Sequence, residues 1–122
     1  MRNHRVFHRF QPKPSGWRPG APGYGGRPDG AAVDALGNYW SAMYEGGCLV
    51  RLSPGGEVIE RIELPVRCPT MPCFGGDDLR TLYVTSARQD RFAAELDALP
   101  LSGHVMAARV DVPGLPVNFV SA

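Results

Sequence analysis

The sequence predicts an all-β protein, a partial β-propeller of about two four-stranded blades. Short apolar runs are separated by turns rich in Gly, Pro and Asp, and that rhythm occurs twice along the chain. Within each copy the first run is small and apolar while the later ones alternate with charge, as expected of strands that fan out from a crowded axis to a solvated rim. Fifteen Gly and twelve Pro in 122 residues, with no collagen period, supply the turns that such strands need.

Taken in order, Val6-Phe7-His8-Arg9-Phe10 alternates apolar and polar residues. It predicts a half-exposed strand, the outer strand of a preceding blade, with His8 turned to solvent. Residues 11–26 are loop, because Pro removes ladder donors and Gly weakens strands; residues 1–26 thus form one unit. Residues 27–66 read as one blade. A small inner strand at 31–33 is followed by the turn Asp34-Ala35-Leu36-Gly37-Asn38, and strands at 39–44, 48–52 and 58–64 follow across Glu45-Gly46-Gly47 and Ser53-Pro54-Gly55-Gly56. Residues 67–122 read as the last blade. Its inner strand is Met71-Pro72-Cys73-Phe74, its second 82–85, its third 105–110 and its fourth 117–120. The insertion 88–101 carries a single helical turn over 92–99. In this alignment Tyr83 falls where Trp40 stood, so both are expected in the core.

Charge and cysteine content narrow the partners. A net charge of +1 gives no general attraction to nucleic acid or anionic membrane. Arg2, Arg5, Arg9, Lys13, Arg18 and Arg27 all precede the first acid, Asp29, but their interleaving with Phe7, Phe10 and Trp17 matches no RNA-binding module. No stretch approaches the ~20 apolar residues of a membrane span, and no apolar run follows the basic N-terminus as in a secretory signal. A cytoplasmic protein is expected, with no nucleic acid and no membrane among its partners. Three cysteines exclude a complete disulfide framework; Cys48, Cys68 and Cys73 are expected as buried apolar groups, since a zinc site from Cys68, Cys73 and His104 lacks close paired spacing.

Several segments together resemble the gluconolactonase and senescence-marker-protein (regucalcin) family. They are Arg27-Pro28-Asp29-Gly30-Ala31-Ala32-Val33-Asp34 with Gly37-Asn38-Tyr39-Trp40, then Gly46-Gly47 and Val50-Arg51-Leu52, then Glu63-Leu64-Pro65-Val66. The most specific is Pro69-Thr70-Met71-Pro72-Cys73-Phe74-Gly75-Gly76 with Leu82-Tyr83-Val84-Thr85-Ser86-Ala87-Arg88. The resemblance implies a six-bladed propeller around one divalent metal ion, of which this chain is the C-terminal portion. Calcium, zinc, magnesium and manganese are not distinguished by it. It implies a sugar-lactone hydrolase that opens aldonolactones to aldonic acids, with the Asp of the Pro-Asp-Gly element, here Asp29, as metal ligand and general base. The family's other metal and sugar ligands lie in blades beyond this sequence. The chain alone is therefore expected to be inactive, and to self-associate or to need the missing blades.

On spacing alone Asp29 is a turn residue, since Asp favours turn starts; the resemblance gives it the chemical role. Thr70 opens the second inner strand and is the candidate substrate contact, against the ordinary reading of a strand-end hydroxyl. Asp34 is expected to cap its turn through its side chain. Asp77 and Asp78 are expected to be solvated, and His4, His8 and His104 show no ligand spacing. The competing reading is a non-catalytic remnant or β-rich interaction module. One carboxylate does not hold a metal that takes six or more oxygens.

Overall fold

The structure, a computed structural model, describes residues 3–116, 118 and 120. Two antiparallel sheets form it. The first has the order β1-β2-β3-β4, from β1 (Arg27–Val33), β2 (Tyr39–Tyr44), β3 (Cys48–Leu52) and β4 (Val58–Glu63). The second has the order β5-β6-β7, from β5 (Pro69–Gly75), β6 (Thr81–Ser86) and β7 (Met106–Arg109), with the one-turn helix α1 (Ala93–Ala98) between its last two strands. All neighbouring pairs are antiparallel; short turns join them, as the closely spaced turn sequences predict, except β6 and β7, which are joined through the segment that carries α1. β7 is shorter than the strand expected at 105–110. The expected fourth strand at 117–120 lies partly outside the described residues, and Asn118 and Val120 are not in a strand.

The sheets pack face to face along β1, β2 and β5. Trp40, Ala42 and Leu49 from the first meet Phe74, Leu82 and Val84 from the second, with the Trp40 and Phe74 rings edge to face at 5.6 Å. Burying side chains of this size contributes about 1.5–3 kcal/mol each, which makes this seam the main cohesive element. β2 is buried on both faces, unlike an ordinary half-exposed strand. Its other face carries Met43, which with Cys48, Val50 and Leu52 forms a second cluster covered by Phe10.

Two expectations are corrected here. Residues 6–10 form no strand; they cover the far face of the first sheet instead. Phe7 packs edge to face on Tyr39 at 6.0 Å, and His8 is half-buried, its Nδ1 donating to the Gly56 carbonyl at 2.8 Å. An alternating pattern needs a ladder partner to become a strand, and among the described residues none is offered. Tyr83 is 41% exposed, because Leu82 and Val84 turn inward on β6. The position matching Trp40 is Leu82, which also meets Phe74, and a one-residue slip in a strand exchanges its faces.

The helical turn expected at 92–99 is present as α1 and is held by Arg91 donating twice to Glu95 at 2.7 Å. Among the described residues no helix is long and apolar enough to cross a membrane.

Candidate active site

Asp29 and Thr70 both fall where the ladder of an inner strand breaks. On β1 the pairing runs Arg27 to Tyr44 and Pro28 to Met43, then resumes with Ala31 opposite Ser41, leaving Asp29 and Gly30 against a single residue. On β5 it runs Pro69 to Ser86, then Met71 to Thr85, leaving Thr70 as the extra residue. Each strand thus carries a β-bulge at the same end, and bulges re-aim side chains that a regular pleat would fix.

The bulges lie against each other. A Cβ on Gly30 would stand 2.6 Å from the Thr70 carbonyl oxygen and collide with the Met71 sulfur, so only glycine admits this approach. Asp29, exposed, immediately precedes that contact. The Thr70 hydroxyl lies 2.7 Å from the Thr85 hydroxyl, which fixes its direction from the neighbouring strand. The structure therefore brings the chain around Asp29 together with Thr70, at the strand ends where the two sheets meet.

Asp34 has a different environment. It is fully buried, and its carboxylate accepts from the Leu36 and Asn38 backbone N–H groups, the Asn38 amide, the Trp40 indole at 2.9 Å and the Arg51 guanidinium at 3.2 Å. Burial pushes its carboxyl up, but the Trp40 and Asn38 donors outweigh that and hold it below the usual carboxylate range. The expected turn cap is present, joined by a cross-strand ion pair that the turn sequence gave no sign of.

Asp78 accepts from Arg109 and from the Arg80 backbone; the Arg109 contact foremost lowers its carboxyl to about 2. It thus closes the β5–β6 turn onto β7. His4 and His104 are exposed, and His104 Nδ1 lies 3.0 Å from the Leu101 carbonyl. Cys48 and Cys68 are buried as expected, burial pushing the Cys48 thiol up to about 11, but Cys73 is exposed because it alternates away from Phe74. Among the described residues no three His, Cys, Asp or Glu side chains converge on a metal position.

Sequence reasoning missed Glu45, which sits buried in the β2–β3 turn with left-handed backbone and pairs with Lys13 and Arg27. A Glu beside two glycines reads as a solvated turn, and its burial, its left-handed backbone and its partners Lys13 and Arg27 are all set by distant contacts. A cavity of about 770 Å³ lies elsewhere: Leu49, Ile62, Leu82, Val84 and Met106 line it between the outer strands, and neither Asp29 nor Thr70 is among its lining residues. It is a mostly apolar cleft beside β7; of the carboxylates at its rim, Glu60 and Asp111, Glu60 is paired with Arg51 at 3.3 Å.

Residues 1–88 match the family described as SMP-30/Gluconolactonase/LRE-like region. A 6-deoxy-6-sulfogluconolactonase from Pseudomonas putida is 62% identical over 94 residues, which is 77% of this chain and 32% of that protein. Regucalcin from Gallus gallus is 40% identical over 91 residues, 73% of this chain and 30% of that protein. Among solved structures, a calcium-binding protein, regucalcin, from Agrobacterium tumefaciens superposes with a TM-score of 0.70 at 34% identity, covering 74% of this chain and 30% of that one. The chain thus spans about a third of the length of these relatives. Its two sheets have the architecture of their β-propeller blades, the fold class predicted from the sequence.

Proposed function

The chain belongs to the SMP-30/gluconolactonase/LRE-like family, and from that premise we propose that it is part of a sugar-lactone hydrolase in which Asp29 is the general base. The observation that supports this most is the pair of facing bulges. Exposed Asp29 immediately precedes the close approach of Gly30 to the Thr70 backbone, and the Thr70 hydroxyl is in turn directed by Thr85, which supports a shared site at this end of the inner strands.

In the proposed reaction Asp29 takes a proton from water as the water oxygen bonds to the lactone carbonyl carbon. The tetrahedral intermediate collapses by breaking the bond from that carbon to the ring oxygen. The ring oxygen leaves as a hydroxyl by taking from Asp29 the proton that came from water, which restores the Asp29 carboxylate, and the product is the open-chain hydroxy acid. Thr70, directed by Thr85, contacts a sugar hydroxyl. A divalent ion, when bound, would polarise the carbonyl and acidify the water. Asp29 would be a ligand to such an ion, but among the described residues no three His, Cys, Asp or Glu side chains gather there, which does not fit a complete metal centre.

The apolar cleft beside β7 favours the second reading, an interaction module without turnover. A transplant separates the two. The 94-residue stretch matching the Pseudomonas putida relative replaces its counterpart there, and opening of a gluconolactone is followed by acid release. Turnover within about tenfold of the parent, abolished by Asp29→Asn, is expected; a folded chimera without turnover overturns the catalytic reading. The 122-residue chain alone is expected to leave the lactone intact.

A further inference from the structure

Glu45 violates two local rules at once. Its φ of 66° is a left-handed backbone that suits Gly or Asn, and its carboxylate is only 6% exposed. The turn gains nothing from either feature, because a glycine would make the same reversal without strain. The carboxylate does serve residues outside the turn. It accepts from Lys13 Nζ at 2.8 and 3.1 Å and lies 3.5 Å from Arg27 Nη1. These cations stand on either side of the Pro- and Gly-rich loop that leads into β1, so Glu45 draws both sides of that loop onto one turn.

The backbones there are also in contact. A Cβ on Gly26 would stand 2.6 Å from the Gly46 nitrogen and 2.8 Å from the Tyr44 carbonyl oxygen. The entry to β1 and the turn carrying Glu45 therefore form one packed unit.

That unit sits next to the part of β1 least able to hold itself. Pro28 has no N–H to give the ladder, and Asp29 and Gly30 are in the bulge, so regular pairing resumes only at Ala31. Upstream, the anchor is Arg27, which pairs with Tyr44, lays its guanidinium 4.6 Å from the Tyr44 ring centroid and reaches Glu45. We propose that Glu45 is a positioning residue for Asp29: it fixes Arg27, and through Arg27 the bulge that presents the Asp29 carboxylate. The proposal rests on the catalytic reading of Asp29, and it goes beyond that reading by assigning the support.

Glu45→Gly and Glu45→Gln test it. Glycine removes the strain together with the carboxylate, so the fold is expected to melt no lower than the parent. Amide hydrogen exchange in the 122-residue chain is expected to accelerate at Asp29 and Gly30 in both variants, with Ala31 unchanged. In the chimera kcat is expected to fall about tenfold with KM little changed, the signature of a displaced catalytic group. Salt should lower kcat in the parent, whose Lys13 and Arg27 are 44% and 59% exposed, and leave Glu45→Gln insensitive. Unchanged exchange at Asp29 and Gly30, or a kcat loss that only follows a loss of stability, overturns the proposal. If Asp29→Asn keeps full turnover the catalytic reading fails, while the exchange data still decide whether Glu45 holds the bulge.

Discussion

The indole Nε1 of Trp40 donates to Asp34 Oδ2 at 2.9 Å, tying the residue that fills the seam between the sheets to the carboxylate that shapes the first turn. Arg51 completes the arrangement, its guanidinium 5.0 Å from the Trp40 ring centroid and 3.2 Å from the same carboxylate. Core packing and turn geometry in the first sheet therefore depend on one buried charge.

Asp34→Ala is expected to destabilise the chain by about 3–5 kcal/mol, the range for removing one partner of a buried ion pair. Chemical denaturation measures it. The pH dependence follows from the lowered carboxyl: its stabilisation is complete above the ordinary carboxylate range and is lost as pH falls through the folded-state value. The acid limb of the stability curve, below about pH 4, should be flatter in Asp34→Asn than in the parent. Equal acid limbs would show that the carboxylate is not held as the geometry implies.

Asp29→Asn should behave in the opposite way. The side chain is exposed, so stability should shift by no more than about 0.5 kcal/mol. Turnover in the chimera should fall about 10²–10⁴-fold, the span general base catalysis supplies. Steady-state kinetics beside a thermal melt distinguishes the two aspartates, five residues apart with different roles.

The sequence made the blade rhythm legible because each turn carries its own chemistry. Asp34 to Asn38 and Ser53 to Gly56 bend the chain wherever they stand, and the strands between them have little other choice. Facing was less legible. Tyr83 was expected inward and lies outward because a pattern of period two does not reveal which of two adjacent residues meets the other sheet. Residues 6–10 have the alternation of a strand and none of its pairing, since a ladder is a property of two segments. Asp29 was reached through a family likeness. The bulge that exposes it, and the Glu45 clamp beside it, depend on contacts with Gly30, Gly46 and Lys13 that no local pattern encodes.

The three cysteines should separate by reactivity. Cys73 is exposed on the outer face of β5, whereas Cys48 and Cys68 are buried and their thiols are pushed up by that burial, Cys48 to about 11. A disulfide reagent at about pH 8 should titrate one thiol quickly in the native chain and all three after denaturation. Cys73→Ser should abolish the fast phase. A fast phase that survives this change would mean that the first sheet opens readily.

The contact between the inner strands gives the last prediction. At Gly30 the first sheet closely approaches the second, and a methyl group there meets the Thr70 carbonyl oxygen and Met71. Backbone does not yield as a flexible side chain does, so Gly30→Ala must push β1 and β5 apart. Overpacking of this kind costs about 1–3 kcal/mol. Gly55→Ala is the control: a Cβ there meets only the Ser53 hydroxyl, at 3.7 Å, an ordinary contact. Thermal melts of the two variants should differ by several degrees, with Gly55→Ala at or near the parent. The same displacement moves the two bulges relative to each other, so Gly30→Ala in the chimera should lower turnover at temperatures where it is still folded. If Gly30→Ala melts with the parent, the inner strands are not in the close contact described, and Asp29 and Thr70 do not share a site.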